Sequence, residues 1–234
     1  MPPTDKVAED AKAARPAGRP KITPAADSHR RRPKGEDTRE RILRAAAAEF
    51  ARYGLEGGSI RSIAKRAGVS HTRFVYYFDS KVGLWQAVIE RACMRLIDAY
   101  AGPLANAEGL SDTEVLKRLY TEYIRFCAED PHVGWIMLNS SREGGEAAEW
   151  RTKTFVAPTF NTVDDLIRSS QRAGDHIPGD ASHMHLLFTG AASWIFITRF
   201  ETAALTGLKV DDEAFLKEHT RLCLSMFFPN KTPA

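Results

Sequence analysis

Residues 59–84 read SIRSIAKRAGVSHTRFVYYFDSKVGL, and the punctuation of this stretch decides the fold. Ser59 has a hydroxyl able to cap the free N–H groups of a helix that places Ile60, Ile63, Ala64 and Ala67 on one side. Gly68 supplies the stop. Ser70 caps the next helix, while Val69 before it and Phe74 four residues after it form the two halves of a hydrophobic staple. Two helices joined by a three-residue turn containing glycine make a helix-turn-helix.

The second of these helices has two unlike sides. At about 100° per residue, Phe74 and Phe78 fall together and face inward, while Thr72, Arg73 and Tyr76 face outward and His71, Val75 and Tyr77 lie on the flanks. Hydroxyl, imidazole, guanidinium and aromatic groups on an exposed short helix suit the major groove of DNA, which admits a helix and presents base edges beside phosphates.

Upstream, Asp37 as N-cap with Glu40 three residues on reads as a capping box, and Gly54 reads as a left-handed stop. Between them Ile42, Leu43, Ala46, Phe50 and Tyr53 recur at helical spacing. Residues 1–35 carry nine Lys/Arg against four Asp/Glu and almost no aliphatic residues, so a disordered basic tail is expected. Its Pro-bounded segments Ala17–Lys21 and Arg30–Lys34 read either as minor-groove arms or as a solvated tail that raises local DNA affinity.

Charge divides the chain in the same way. The tail is +5, residues 36–80 are +2 and the remainder is −4, so the basic charge sits where it could meet phosphates. With 234 residues, 43% of them hydrophobic, the chain can bury a sizeable core. The longest near-apolar run, Leu186 to Thr198, is too short for a bilayer span, and the N-terminus has no secretory pattern, so a cytoplasmic address is expected. Cys93, Cys127 and Cys223 lie far apart, which predicts neither a disulfide nor a zinc framework.

Beyond Ser80 only helical patterns appear, broken at Gly102-Pro103, Asp130-Pro131, Gly144-Gly145, Gly174 to Gly179, and Gly207. Five or six further helices fit between these marks. The expected class is all-α, with a three-helix DNA-binding domain at 36–80 and a larger helical ligand-binding and dimerisation domain at 81–234.

The run Ser59 to Ser70, followed by Phe74, Tyr77-Phe78, Ser80-Lys81 and Leu84, resembles the DNA-binding signature of the TetR family of transcriptional regulators, from about Asp37 to Leu84. The resemblance implies a homodimer on a double-stranded, palindromic operator. It also implies a long fourth helix, here Ser80 to about Tyr100, that links the DNA-binding helices to a body binding a small-molecule effector. Positions matching Arg61, His71, Thr72 and Val75 would face bases, and those matching Arg73, Tyr76, Tyr77 and Lys81 would hold phosphates. The cap residues Ser59 and Ser70 complete the expected DNA-binding set. The chain departs from the family at Thr72, Arg73 and Val75, and the helical wheel sets Arg73 and Tyr76 at the centre of the outward side, so which residues read bases stays open.

In the body, Leu187, Ala191, Trp194, Ile195 and Thr198 form one stripe, and Phe215, Leu222, Met226 and Phe227 another. Dimer contact and ordinary core packing predict both stripes equally. Tyr120, Tyr123, Phe126, Trp135, Met137, Phe155, Phe160 and Trp194 are the candidate effector-pocket residues and suggest a hydrophobic or aromatic ligand. His183 and His185 stand two apart on a helix and cannot share one metal ion. Asp164-Asp165 and Asp211 to Glu213 read as charges at helix starts. No catalytic set, metal site or cofactor is expected. The function read from the sequence is a DNA-binding transcriptional regulator, in the family's usual mode a repressor; the alternative is a non-enzymatic DNA- or protein-binding module without effector response.

Overall fold

A computed structural model describes residues 34–143 and 145–229. The basic tail, with its two Pro-bounded segments, lies outside the described residues up to residue 33. Helix α1 (Lys34–Gly57) begins upstream of Asp37. Glu40 therefore sits within the helix rather than capping it, and its carboxylate meets Arg91 (Nε to Oε1, 3.0 Å). Gly54 adopts positive φ (69°) and the helix breaks there in a kink, after which a short further turn reaches Gly57. The tight packing that follows needs a second glycine, because a Cβ on Gly58 would stand 2.7 Å from the Phe50 ring.

Helices α2 (Ile60–Ala67) and α3 (His71–Tyr77) form the helix-turn-helix, and α4 (Lys81–Ala105) follows. At 25 residues, α4 is about 37 Å long. It continues through Pro103, five residues past the expected end near Tyr100, since a proline close to a helix end sacrifices few backbone bonds. The body comprises α5 (Asp112–Glu129), α6 (Pro131–Glu143) and α7 (Gly145–Arg151). A π-helical turn (Thr152–Val156) then leads into α8 (Ala157–Arg172), followed by α9 (Ala181–Ile197), α10 (Arg199–Thr206) and α11 (Glu213–Phe227). The fold is all-α, and no described residue forms a strand. The sequence pattern undercounts the helices because two breaks carry no glycine: the π-helical turn between α7 and α8, and Thr198 between α9 and α10.

Two cores organise these elements. The first unites Ile42, Leu43 and Phe50 of α1, Ile63 of α2 and Phe74 of α3 with Leu84, Trp85, Val88 and Ile89 of α4 and Ile136 of α6. It is therefore not confined to residues 36–80. Each of its large side chains, fully buried, contributes roughly 1.5–3 kcal/mol. The second core joins Tyr100 of α4, Leu116, Leu119 and Tyr120 of α5, Ile167 of α8, Phe188 and Phe196 of α9, and Phe227 of α11. Tyr120 and Phe188 stack with ring centres 3.5 Å apart. No described helix is long and apolar enough to cross a membrane.

Helix α6 touches both halves. Its Asn139 Nδ2 donates to the Ala51 carbonyl of α1 at 3.3 Å. At its other end Gly134 passes so close to α9 that a Cβ there would meet Ile197 Cγ1 at 2.8 Å.

Candidate nucleic-acid interface and interior cavity

The local chemistry of the helix-turn-helix follows its sequence. Ser59 Oγ accepts from the Ser62 N–H at 3.3 Å, and Ser70 Oγ accepts from the Arg73 N–H at 3.2 Å. Gly68 has φ 65°, and the amide of Val69 reaches back to the Ala64 carbonyl at 3.0 Å. Phe74 is buried, with Val69 packed against the same cluster. The staple and both caps are in place.

One further residue, with no signal in the local pattern, holds this unit to α1. Glu49 is buried, and its carboxylate accepts from Ser62 Oγ (2.9 Å) and from the Ser59 N–H (3.3 Å), with Arg66 Nη2 at 3.5 Å. A single carboxylate thereby satisfies the first turn of α2 and meets a cation in its last turn. A lone Glu on the apolar face of a helix, ten residues before a serine cap, is the one trace this clamp leaves in the sequence.

Around this scaffold Ser59, Arg61, Ser70, His71, Thr72, Arg73, Val75 and Tyr76 are all exposed, Tyr76 at 83%. Tyr77 is half-buried, its ring edge-on to Tyr76 with centres 5.1 Å apart. Lys81 is also half-buried, and its ammonium donates to the Glu56 carbonyl at 2.8 Å. Two of its three N–H donors stay available. The exposed residues stand at the N-terminal ends of α2 and α3 and along α3.

Within the body lies a cavity of about 460 Å³, walled by α4 to α9. Of the candidate pocket residues, Tyr123, Phe126, Met137, Phe155 and Phe160 line this cavity. Three other candidates do not. Tyr120 is buried in the second core behind the wall, Trp135 is 40% exposed, and Trp194 is 59% exposed on the outside of the body. Helical periodicity finds bulky residues but not the side on which a many-sided bundle leaves space.

The polar groups of the cavity were not anticipated. Arg151 is buried in its wall and donates from Nη1 to the Met137 carbonyl at 3.2 Å, binding α7 to α6, while desolvation pulls its pKa down. His185 lines the cavity from α9; burial lowers its pKa to about 4 against a small upward pull from Asp164, so the imidazole is neutral at physiological pH. Burial raises Cys93 to about 11 and Cys127 to about 12, so both thiols facing the cavity stay protonated. His183 is exposed where His185 is buried, on different sides of α9. Asp212 caps α11 through the Ala214 N–H at 3.1 Å. Asp164, by contrast, lies inside α8, not at a helix start, and accepts from Arg168 (2.9 Å) and Ser182 (2.8 Å).

The two outer stripes split between core and surface. Leu187, Ala191 and Trp194 of α9 and Leu222 and Met226 of α11 are exposed. Phe227 is buried, and Ile195, Thr198 and Phe215 are half-buried.

An all-α chain with a doubly capped helix-turn-helix at one end and a cavity-bearing bundle at the other defines a helix-turn-helix transcriptional regulator. Residues 42–88 match the bacterial regulatory proteins of the tetR family, which makes this segment a tetR-type DNA-binding domain. It is 24% identical over 178 residues to the HTH-type transcriptional regulator RutR of Escherichia coli, covering 76% of this chain and 82% of that protein. It is 32% identical over 107 residues to the HTH-type transcriptional repressor SCO4008 of Streptomyces coelicolor, covering 42% and 56%. Among solved structures it resembles the hemolysin II transcriptional regulator HlyIIR, with a TM-score of 0.63, 19% identity, and coverage of 84% of this chain and 100% of that one. It likewise resembles AibR in complex with isovaleryl coenzyme A and operator DNA, with a TM-score of 0.66, 16% identity, and coverage of 82% and 98%.

Proposed function

We propose that this chain is a homodimeric, sequence-specific repressor that leaves its operator when a small apolar molecule fills the cavity of the body. The observation that carries the reading is the shared use of α4. Its first turns, through Leu84, Trp85 and Val88, pack in the core of the helix-turn-helix, and its later turns, through Cys93, Leu96, Ile97 and Tyr100, wall the cavity. A ligand that displaces the cavity wall displaces the DNA-binding helices with it.

Arg61, His71, Thr72 and Val75 face bases in this reading, with Arg73, Tyr76, Tyr77 and Lys81 at phosphates and the helix starts at Ser59 and Ser70 beside the backbone. The exposed apolar face of α9 and α11 packs on its equivalent across a twofold axis, which sets the two α3 helices about one DNA turn or more apart, 34 Å or beyond. AibR, a regulator of like fold seen in complex with isovaleryl coenzyme A and operator DNA, supports the pairing of ligand and operator on one chain.

The test is a mobility-shift experiment with DNA from upstream of the chain's own gene and its neighbours. A palindromic fragment bound at least a hundredfold more tightly than random duplex supports the reading. Equal binding to all duplexes overturns it in favour of a general DNA-binding module.

A further inference from the structure

We infer that the effector carries an uncharged hydrogen-bonding group, a hydroxyl, phenol or amide, on an apolar body, and that His185 receives it; this rests on the reading of the cavity as the effector site. His185 projects from α9 into the cavity wall and is only 8% exposed. Its ring stacks on Phe160, with centres 4.5 Å apart and planes 16° from parallel. The stack fixes the imidazole while satisfying neither nitrogen. Nδ1 is buried with no hydrogen-bond partner among the described residues. The neighbouring Tyr120 ring, 6.5 Å away between centres, does not help, because its own hydroxyl is buried without a partner as well.

An imidazole in this position is costly to the empty protein, since a buried polar atom left unbonded forfeits the hydrogen bond it had in water. Within a mostly apolar wall, whose other polar groups include Arg151, Thr159, Thr189 and Ser193, it is a buried polar group held ready for something that enters the cavity. A neutral imidazole presents one donor and one acceptor. It suits a partner able to do either, as a hydroxyl can.

The surroundings also select against a carboxylate at this end. Asp164 lies near enough to bias the His185 titration, and its own oxygens are already taken by Arg168 and Ser182. A second anion beside it would meet the Asp164 carboxylate, while Arg168 is already paired with Asp164 and Arg151, the cation in the cavity wall, already donates to the Met137 carbonyl.

Three probes of one shape separate the possibilities: naphthalene, 2-naphthol and 2-naphthoate, titrated by calorimetry into the intact protein. The expected result is binding of 2-naphthol about tenfold tighter than naphthalene, with 2-naphthoate the weakest. In His185→Phe, which keeps the stack on Phe160, that preference should collapse to within about twofold while naphthalene still binds. In the wild-type protein, ¹⁵N-histidine spectra should show the His185 resonances shifting with 2-naphthol and not with naphthalene, a response that a purely structural imidazole lacks. Equal affinity for naphthol and naphthalene, a preference that survives in His185→Phe, tightest binding of 2-naphthoate, or binding of none of the three would each overturn the inference. The readout needs no DNA, so its failure leaves the regulator reading standing; conversely, a protein without operator preference that still selects 2-naphthol would sink that reading alone.

Discussion

The Glu49 carboxylate accepts a hydrogen bond of 2.9 Å from Ser62 Oγ, joining the middle of α1 to the first turn of α2. Because Glu49 also receives the Ser59 N–H and faces Arg66, one side chain fixes the angle at which the helix-turn-helix leaves α1. Replacing it with alanine removes the acceptor of a part-buried backbone N–H and of the Ser62 hydroxyl, and leaves Arg66 without this partner. Glu49→Ala should cost about 2–4 kcal/mol in chemical unfolding, and Glu49→Gln about half as much, since the amide retains one acceptor. A loss under about 0.5 kcal/mol for Glu49→Ala would show that the clamp contributes little.

On α3 the exposed residues divide by their chemistry. Arg73→Ala should weaken binding to all duplexes alike and lower the slope of log affinity against log salt by about one, as expected when one phosphate contact is lost. His71→Ala or Thr72→Ala should instead cost roughly 1–3 kcal/mol on the preferred site alone and relax the sequence preference there. A uniform loss in the Thr72 and His71 variants would mean that these side chains position the helix without reading bases.

Trp194 presents the largest apolar side chain of the outer α9 face. Placing a charge there, as in Trp194→Glu, should convert a dimer to a monomer in sedimentation and reduce operator binding by at least a hundredfold, with the helical content unchanged. An unaltered sedimentation coefficient would move the subunit interface elsewhere.

The neutral state of His185 makes stability depend on acidity in a defined window. Its pKa is about 4 in the folded chain against 6.5 for a free histidine, so the unfolded chain binds a proton below pH 6.5 that the folded chain refuses until about pH 4. Stability should therefore fall as pH drops through this range, by on the order of 3 kcal/mol from this group. His176, whose pKa burial also lowers, adds in the same direction. Denaturation midpoints measured between pH 7 and 5 should show a shallower slope in His185→Phe. An identical slope in the variant would place the proton uptake on other groups.

The parts of the molecule written in the sequence are those set by neighbours along the chain. Ser59, Gly68, Val69, Ser70 and Phe74 act within one or two turns, so their types at their spacing suffice to place two helices and a turn. The same logic could have found the capping box of α5, where the Ser111 N–H donates to Glu114 Oε2 at 2.9 Å. What pattern alone missed depends on distant segments. Asp37 and Glu40 have the spacing of a cap, yet tertiary contact draws Glu40 to Arg91, fifty-one residues away. Trp194 and Phe196 stand two apart on α9, one outside and one in the core, and no periodicity tells which side of a helix faces a cavity, a core or another subunit. Arg151 and His185, the polar groups of the cavity, carry no local signature at all.

Helix α6 gives the three-helix head a second attachment beside α4. Through Asn139 it holds α1 at Ala51, and through Gly134 it lies against Ile197 at the end of α9, whose outer face carries Trp194. A head tied at one point could swing freely; tied at two, it is left a single easy hinge along the line between them. A change in the seating of α9 would thereby be steered into one direction of travel for α3, and a bulky side chain in place of Gly134, which also lines the cavity, would clash with Ile197 and jam that hinge.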